Sequence, residues 1–190
     1  MDLAEAISGR RSTRAYEDKP VDATMIRQVI DAAVQAPSAI NEQPWTFTVI
    51  RDQALLDRIS QDAKAHMMAT MPADMGAGTH AGRILAMLSD PAFQIFYHAP
   101  VLILISGAAP GGWIVEDCTL AAANLMLAAH SLGLGSCWIG FAQRYLAGAA
   151  GKQALGLPES WVPVAPIILG HPRAPAAPVA RREPEIRWIG

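Results

Sequence analysis

The stretch from Cys118 to Gln143 carries no Asp, Glu, Lys or Arg. Most of it lies within "IVEDCTLAAANLMLAAHSLGLGSCWIG", and it constrains the fold more than any other part of the chain. Its first part is Ala-rich and apolar nearly all round. That predicts one long helix belonging at the centre of a core or in an oligomer interface. A membrane span needs about 20 consecutive apolar residues. Here Asn124, His130 and Ser131 interrupt the run, and Gly133 and Gly135 break it. The expectation is a buried helix closed by Gly133, then a turn and a short strand, "SCWIG".

The rest of the pattern alternates. "DLAEAIS" reads as a short opening helix. "DATMIRQVIDAAVQA" reads as an amphipathic helix capped by Asp22, with Ile26, Val29, Ile30 and Ala33 on one stripe and Pro37 as its stop. Thr46–Ile50 reads as a strand. "DQALLDRISQDAKAHM" reads as a helix presenting Leu55, Leu56, Ile59 and Ala63. Residues 71 to 91 read as an insertion over a site, with a short helix around "GRILAMLS". "PVLILIS" and "VPVAPIILG" read as buried strands, with "GAAPGGW" as a loop after the first. The Pro- and Arg-rich end, residues 171–190, cannot pack on itself and reads as an extended arm. The chain is long enough for one core, so residues 1–190 are expected to form a single α/β or α+β domain.

Composition removes several function classes. Net charge is −2 with 17% charged residues, which does not fit a general nucleic-acid binder. The five histidines form no H-E-x-x-H and no ligand cluster. "GLGSCWIG" follows a helix rather than a strand and lacks dinucleotide spacing. There is no G-x-S-x-G elbow and no P-loop. Cys118 and Cys137 form no metal or redox motif and read as buried reduced thiols. "MDLAEAISGRR" has no basic region followed by an apolar one, so no signal peptide is expected and the chain is placed in the cytoplasm. With no protein-borne nucleophile in view, the chemistry is expected to reside in a bound cofactor.

Two constellations remain. "GRRSTRAY" (Gly9–Tyr16) packs three arginines, two aliphatic hydroxyls and a tyrosine into one short stretch, a local site for a small anion. "APSAINEQPW" (Ala36–Trp45) places a hydroxyl and two amides on one loop, suited to a flat heterocycle with alternating carbonyl and N–H groups.

Together with "AAANLMLAAHSLGLGSCWIG", "PIILGHP" and a late "RR-x-P", these segments resemble the layout of the FMN-dependent nitroreductase family from the first helix to the tail. The resemblance implies a three-layer α/β/α arrangement of α+β class. It has a mixed, mostly antiparallel sheet and a C-terminal arm exchanged in a homodimer, with "IRWI" added to the partner's sheet. It implies that Arg10 and Ser12, with Arg11 beside them, hold the FMN phosphate. Arg14 would reach the N1/O2 edge of the ring. Pro37, Ser38, Ala39, Asn41 and Gln43 would come from the opposite subunit. Ile139 and Gly140 would bring a backbone N–H to flavin N5. Arg181 and Arg182 would form a second phosphate clamp, with Ala180 standing where the family has a further basic residue.

The implied activity is hydride transfer from NADH or NADPH to FMN. A small electron-poor acceptor, a nitroaromatic or quinone, is then reduced in the same pocket, with no nucleic acid or membrane partner. A specialised flavin enzyme of the same fold (dehalogenase, flavin-destroying or dehydrogenase type) is the alternative. A non-catalytic FMN-binding protein and a cofactor-free structural dimer are the readings from other classes.

Overall fold

The computed structural model describes residues 1–71, 79–108 and 111–190. Of the expected insertion, residues 72–78 lie outside the described residues, as do 109–110 of the loop after "PVLILIS". Seven helices and four strands follow in the order α1 (Leu3–Gly9), α2 (Ala23–Ala33), β1 (Trp45–Ile50), α3 (Gln53–Thr70), α4 (His80–Ser89), β2 (Val101–Gly107), α5 (Ile114–Ser131), β3 (Gly135–Trp138), α6 (Gly140–Ala147), α7 (Ala149–Leu155) and β4 (Val162–Gly170) among the described residues.

The strands form one sheet in the order β1-β2-β4-β3, and every neighbouring pair is antiparallel. A parallel contact appears only as an isolated bridge between Ser12 and Ser136 at the β3 edge, outside the four strands described. Residues of β2 are buried on both faces, which is why "VLILISG" is a continuous apolar run. Val101, Ile103 and Ile105 pack with α2 and α5 on one side. Leu102 and Leu104 pack with residues of α3, α4 and α6 on the other. The pleat alone divides the two cores, since successive side chains point to opposite faces. The arrangement is α/β/α in three layers.

Most boundaries follow from local chemistry. Asp22 caps α2 by accepting from the Thr24 N–H at 2.7 Å, and Asp52 caps α3 by accepting from the Leu55 N–H at 3.1 Å. The α2 helix ends at Ala33, before Pro37 is reached, and the Gln35 and Ala36 N–H groups close turns onto Ala32 and Ala33. The segment "GRILAMLS" is part of α4.

Two helices were not expected from the sequence, α6 and α7. Each is short, and Gly148 between them interrupts the apolar period. Gly151 is needed there, because a Cβ would lie within contact-forbidding distance of the Tyr145 carbonyl and Leu146 Cα.

The charge-free stretch begins in the first turn of α5, after Glu116 and Asp117, and one face of that helix is fully buried: Asp117, Cys118, Ala121, Ala122, Leu125 and Ala129. Val115 and Leu120 are exposed on the other, at 54% and 44%. No helix among the described residues is long and apolar enough to cross a membrane. Both cysteines are free and buried, and burial, with Asp117 adjacent, pushes the Cys118 thiol up to about 12. The arm begins later than expected. Pro172 bridges Tyr16 and the Arg173 N–H donates to the Ala15 carbonyl at 3.0 Å, so residues 174–190 alone extend without helix or strand.

Candidate active site

The "GRRSTRAY" segment begins where α1 stops. Arg10 leaves the helix with φ −58° and ψ 134°, and the chain then runs extended along the free edge of β3. The Thr13 N–H donates to the Ser136 carbonyl at 3.0 Å, and the Glu17 N–H donates to His171 at 2.9 Å. Tyr16 anchors the far end. It is 5% exposed, its hydroxyl donates to the Thr13 carbonyl at 2.7 Å, and burial raises its phenol above the ordinary value. Gly135 makes this close approach possible, because a Cβ on it would lie 2.7 Å from three atoms of Thr13. Gly133 turns the chain out of α5 at φ 75°.

This edge separates two cavities. One, of about 400 Å³, is lined by Arg10, Arg11, Thr13, His130, Ser136 and the first residues of the arm, Ala174–Ala176. Arg11 folds back onto α1 and donates from Nη1 to the Ser8 and Arg10 carbonyls at 2.6 and 2.9 Å. It therefore caps the helix C-terminus, a role beyond that of a neighbour to Arg10. Its Nε is buried and has no hydrogen-bond partner. A buried donor without a partner costs about 1–3 kcal/mol, and an anion in this cavity would relieve it. Ser12 is exposed and lines neither cavity; its place is the bridge to Ser136.

The second cavity, of about 360 Å³, is lined by Arg14, Met67, Tyr97, Trp138, Ile139, Gly140 and Phe141. The Arg14 guanidinium lies 5.9 Å from the Tyr97 ring centroid. Phe93 stands edge-on to both Tyr97 and Phe141, at 5.7 and 6.2 Å. Burial raises the Tyr97 phenol, against the opposing pull of Arg14. Tyr97 and His98 hold left-handed φ values of 53° and 52°. Such strain persists only where packing imposes it, and it directs Tyr97 into this wall. Arg10 and Arg14 are four residues apart on an extended segment, or about 13 Å. One continuous edge thus presents a cation to each cavity.

The two residues of "WIG" divide. The Ile139 N–H donates to the Pro166 carbonyl at 2.8 Å and so extends the sheet. It is not available to a ligand. Gly140 opens α6, and no hydrogen bond among the described residues engages its N–H, as expected for the first turn of a helix. Of the two, Gly140 keeps its donor free toward this cavity.

The "APSAINEQPW" loop is held by its own side chains. Ser38 Oγ accepts from the Gln43 N–H and Asn41 Oδ1 accepts from Gln43 Nε2, both at 2.9 Å. Ile40, Asn41 and Gln43 all have positive φ (44°, 61° and 49°), unfavourable for a β-branched residue such as isoleucine. Pro37, Asn41 and Gln43 are exposed, and Ile40 is 92% exposed.

One residue fixes the loop to the core. Asp117 is 3% exposed, and its Oδ1 accepts the Ala39 N–H at 3.0 Å. Sequence reading passed over Asp117; the available signal was an acid at the head of an otherwise charge-free helix. Asp117→Ala is expected to strand the Ala39 N–H and lower stability by about 1–3 kcal/mol, and Asp117→Asn, which keeps an acceptor, by less. Urea unfolding of the two variants checks this.

The loop and the arginine segment do not meet within one chain. Glu42 lies beside Gly111, just before α5, whereas His130 and Gly133 at the Arg10 cavity lie at the other end of α5. The helix has 18 residues, which spans about 27 Å at 1.5 Å per residue. Arg181 and Arg182 sit on the exposed arm, line neither cavity and make no hydrogen bond or ion pair among the described residues.

Comparison with known proteins agrees with this layout. The family model described as Nitroreductase family matches residues 7–171. A protein of Methanothermobacter thermautotrophicus, provisionally named NADH dehydrogenase/NAD(P)H nitroreductase, is 34% identical over 177 residues, covering 90% of this chain and 78% of its own. A 4-nitrobenzoate reductase of Pseudomonas putida is 30% identical over 72% of this chain and 71% of its own. The crystal structure of a nitroreductase with bound FMN from Bacteroides fragilis covers 100% of both chains at 26% identity, with a TM-score of 0.79.

Proposed function

The chain belongs to the nitroreductase family, and from that premise we propose a homodimeric FMN oxidoreductase that takes hydride from NADH or NADPH and, in a ping-pong sequence, reduces an electron-poor acceptor such as a nitroaromatic or quinone. The observation that carries this reading is the extended edge with a cation at each of two cavities, one holding the buried, unpaired Arg11 Nε. That donor set suits a ligand with a phosphate at one end and a ring that gains negative charge at the other. The named relatives, two of them reductases of nitro compounds or nicotinamide-linked enzymes and one holding FMN, point the same way.

FMN, when bound, would supply the redox chemistry between the nicotinamide and the acceptor. The protein's part is position and electrostatics. Arg10 and the free Arg11 N–H bind the phosphate; charge-assisted hydrogen bonds of this kind contribute about 1.5–3 kcal/mol each. Arg14 would stabilise negative charge developing at the edge of the ring that it faces. The Gly140 N–H, rather than that of Ile139, offers the donor toward the reacting nitrogen. Tyr97, Phe93 and Phe141 wall the ring cavity against water.

The length of α5 supports a shared site: the Pro37–Gln43 loop and Arg10 lie at opposite ends of that helix, so a loop that meets the flavin beside Arg10 would come from a second chain. The exposed Ile40, Trp113, Val115 and Leu120 give that second chain an apolar surface to cover. The arm, with Arg181, Arg182 and "IRWI", is then free to cross the partner. Two free buried thiols fit a reducing compartment, the cytoplasm.

The test begins with colour. Purified protein should be yellow, release FMN on denaturation, bleach anaerobically with NADH or NADPH, and recover colour with a nitroaromatic. Release of FAD, or a protein that FMN cannot reconstitute, refutes the assignment. Yellow protein that neither nicotinamide bleaches is a binding protein instead.

Arg14→Ala should lower the flavin midpoint potential by about 30 mV, equivalent to roughly 1.4 kcal/mol for two electrons. It should also slow hydride uptake more than it weakens FMN binding. Potentiometric titration at wild-type potential would remove Arg14 from the site.

A further inference from the structure

A third cavity, of about 310 Å³, opens between the C-terminal end of α3 and the helix α6. It shares Met67, Gly140 and Phe141 with the ring cavity, so the two adjoin. Its polar lining is His66, Thr70, Gln143 and Arg144, and among the described residues no carboxylate lines either cavity. Thr70 turns its hydroxyl back onto the His66 and Met67 carbonyls at 3.0 and 3.1 Å. The outward donors are therefore Arg144, Gln143 and His66.

The position of His66 is supported from behind: its ring stands edge-on to Tyr145 at 6.2 Å, and the Tyr145 hydroxyl donates to Asp62 at 3.0 Å. Arg144 makes no hydrogen bond and no ion pair among the described residues. A basic residue in the last turn of α6 complements the helix dipole. That accounts for its charge but not for the cavity beside it.

We propose that this cavity is an anion-recognising extension of the ring site, so that the preferred acceptors are flat aromatic compounds carrying a carboxylate or sulfonate, held by Arg144 with Gln143 and His66. The inference rests on the ring cavity being the place where acceptors are reduced. An aromatic ring would lie against Phe141 and Met67, and its anionic substituent would reach Arg144 about one helical turn along α6. A guanidinium fork suits a planar, bidentate anion better than a point charge does. The phosphates of NADH are the other source of anionic groups in reach, and the experiment separates them.

Holoenzyme, oxidised and with FMN bound, is titrated with 4-nitrobenzoate and with its neutral counterpart 4-nitrobenzamide, following the flavin visible spectrum. This needs no turnover. Wild type is expected to bind the carboxylate about tenfold more tightly, a difference of roughly 1.4 kcal/mol. In Arg144→Gln the ratio should fall to about one, in Arg144→Lys it should be intermediate, and in Arg144→Glu it should invert.

In parallel, anaerobic stopped-flow reduction by NADH measures the donor half-reaction. Equal binding of the two compounds by wild type, or a preference that survives in Arg144→Gln, overturns the proposal. So does a rise in half-saturation by NADH in Arg144→Gln as large as the loss of carboxylate binding, which would assign the site to donor phosphates. Any of these leaves the FMN assignment standing. A protein that holds no FMN overturns that assignment, and the acceptor subsite with it.

Discussion

Arg10→Glu is expected to weaken FMN binding by a factor of about a hundred or more, while leaving a folded chain. The removed guanidinium lines the 400 Å³ cavity beside the unpaired Arg11 Nε. Its loss forfeits one or two charge-assisted hydrogen bonds, about 1.5–3 kcal/mol each, and the new carboxylate repels a dianionic phosphate. Arg10 is only partly buried and makes no ion pair among the described residues, so the core has no reason to fail. Fluorescence titration with FMN reads the effect.

The same variant tests the shared site. Co-expressed with Asn41→Asp, it should give mixed dimers in which one site carries both changes and the other neither, so that each mixed dimer binds about one flavin. Mixed dimers that bind none would mean that Arg10 and Asn41 of the same chain serve the same flavin.

Gly135→Val should be the most damaging single change at the sheet edge. Its Cβ would lie 2.7 Å from the Cβ, Cγ2 and Oγ1 of Thr13, and no rotamer of Thr13 clears its own Cβ. The arginine segment must therefore move off β3 and stretch the hydrogen bond from the Thr13 N–H to Ser136. Overpacking of this kind costs about 1–3 kcal/mol, roughly 2–4 °C of Tm per kcal/mol for a chain of this size. Because Arg10 and Arg14 ride on the same segment, FMN affinity and midpoint potential should both fall.

Gly112→Ala is the control. A Cβ there meets nothing within 4 Å, and stability should stay within about 0.5 kcal/mol of wild type. If Gly135→Val melts and binds like Gly112→Ala, the edge does not depend on close approach at Gly135.

Much of this architecture was legible along the chain because it rests on local chemistry. The caps at Asp22 and Asp52, the strand "VLILISG", and the Gly133 turn out of α5 each depend on residues within a few positions of one another. The helices α6 and α7 were not legible, since each is too short to show a period; α6 owes its place to packing on α3 and β4, and α7 packs on α6. The candidate site divides in the same way. The concentration of cations in "GRRSTRAY" and of amides in "APSAINEQPW" is a property of the sequence. Tertiary structure alone decided that Ile139 gives its N–H to Pro166 while Gly140 keeps its own. It alone set Asp117 under the loop from 78 positions away and put the two constellations at opposite ends of α5. Those outcomes depend on which backbone and side-chain groups find partners across the sheet and between helices. Spacing along a chain does not carry that information, because each polar group is claimed by whichever partner the completed packing brings within hydrogen-bond reach.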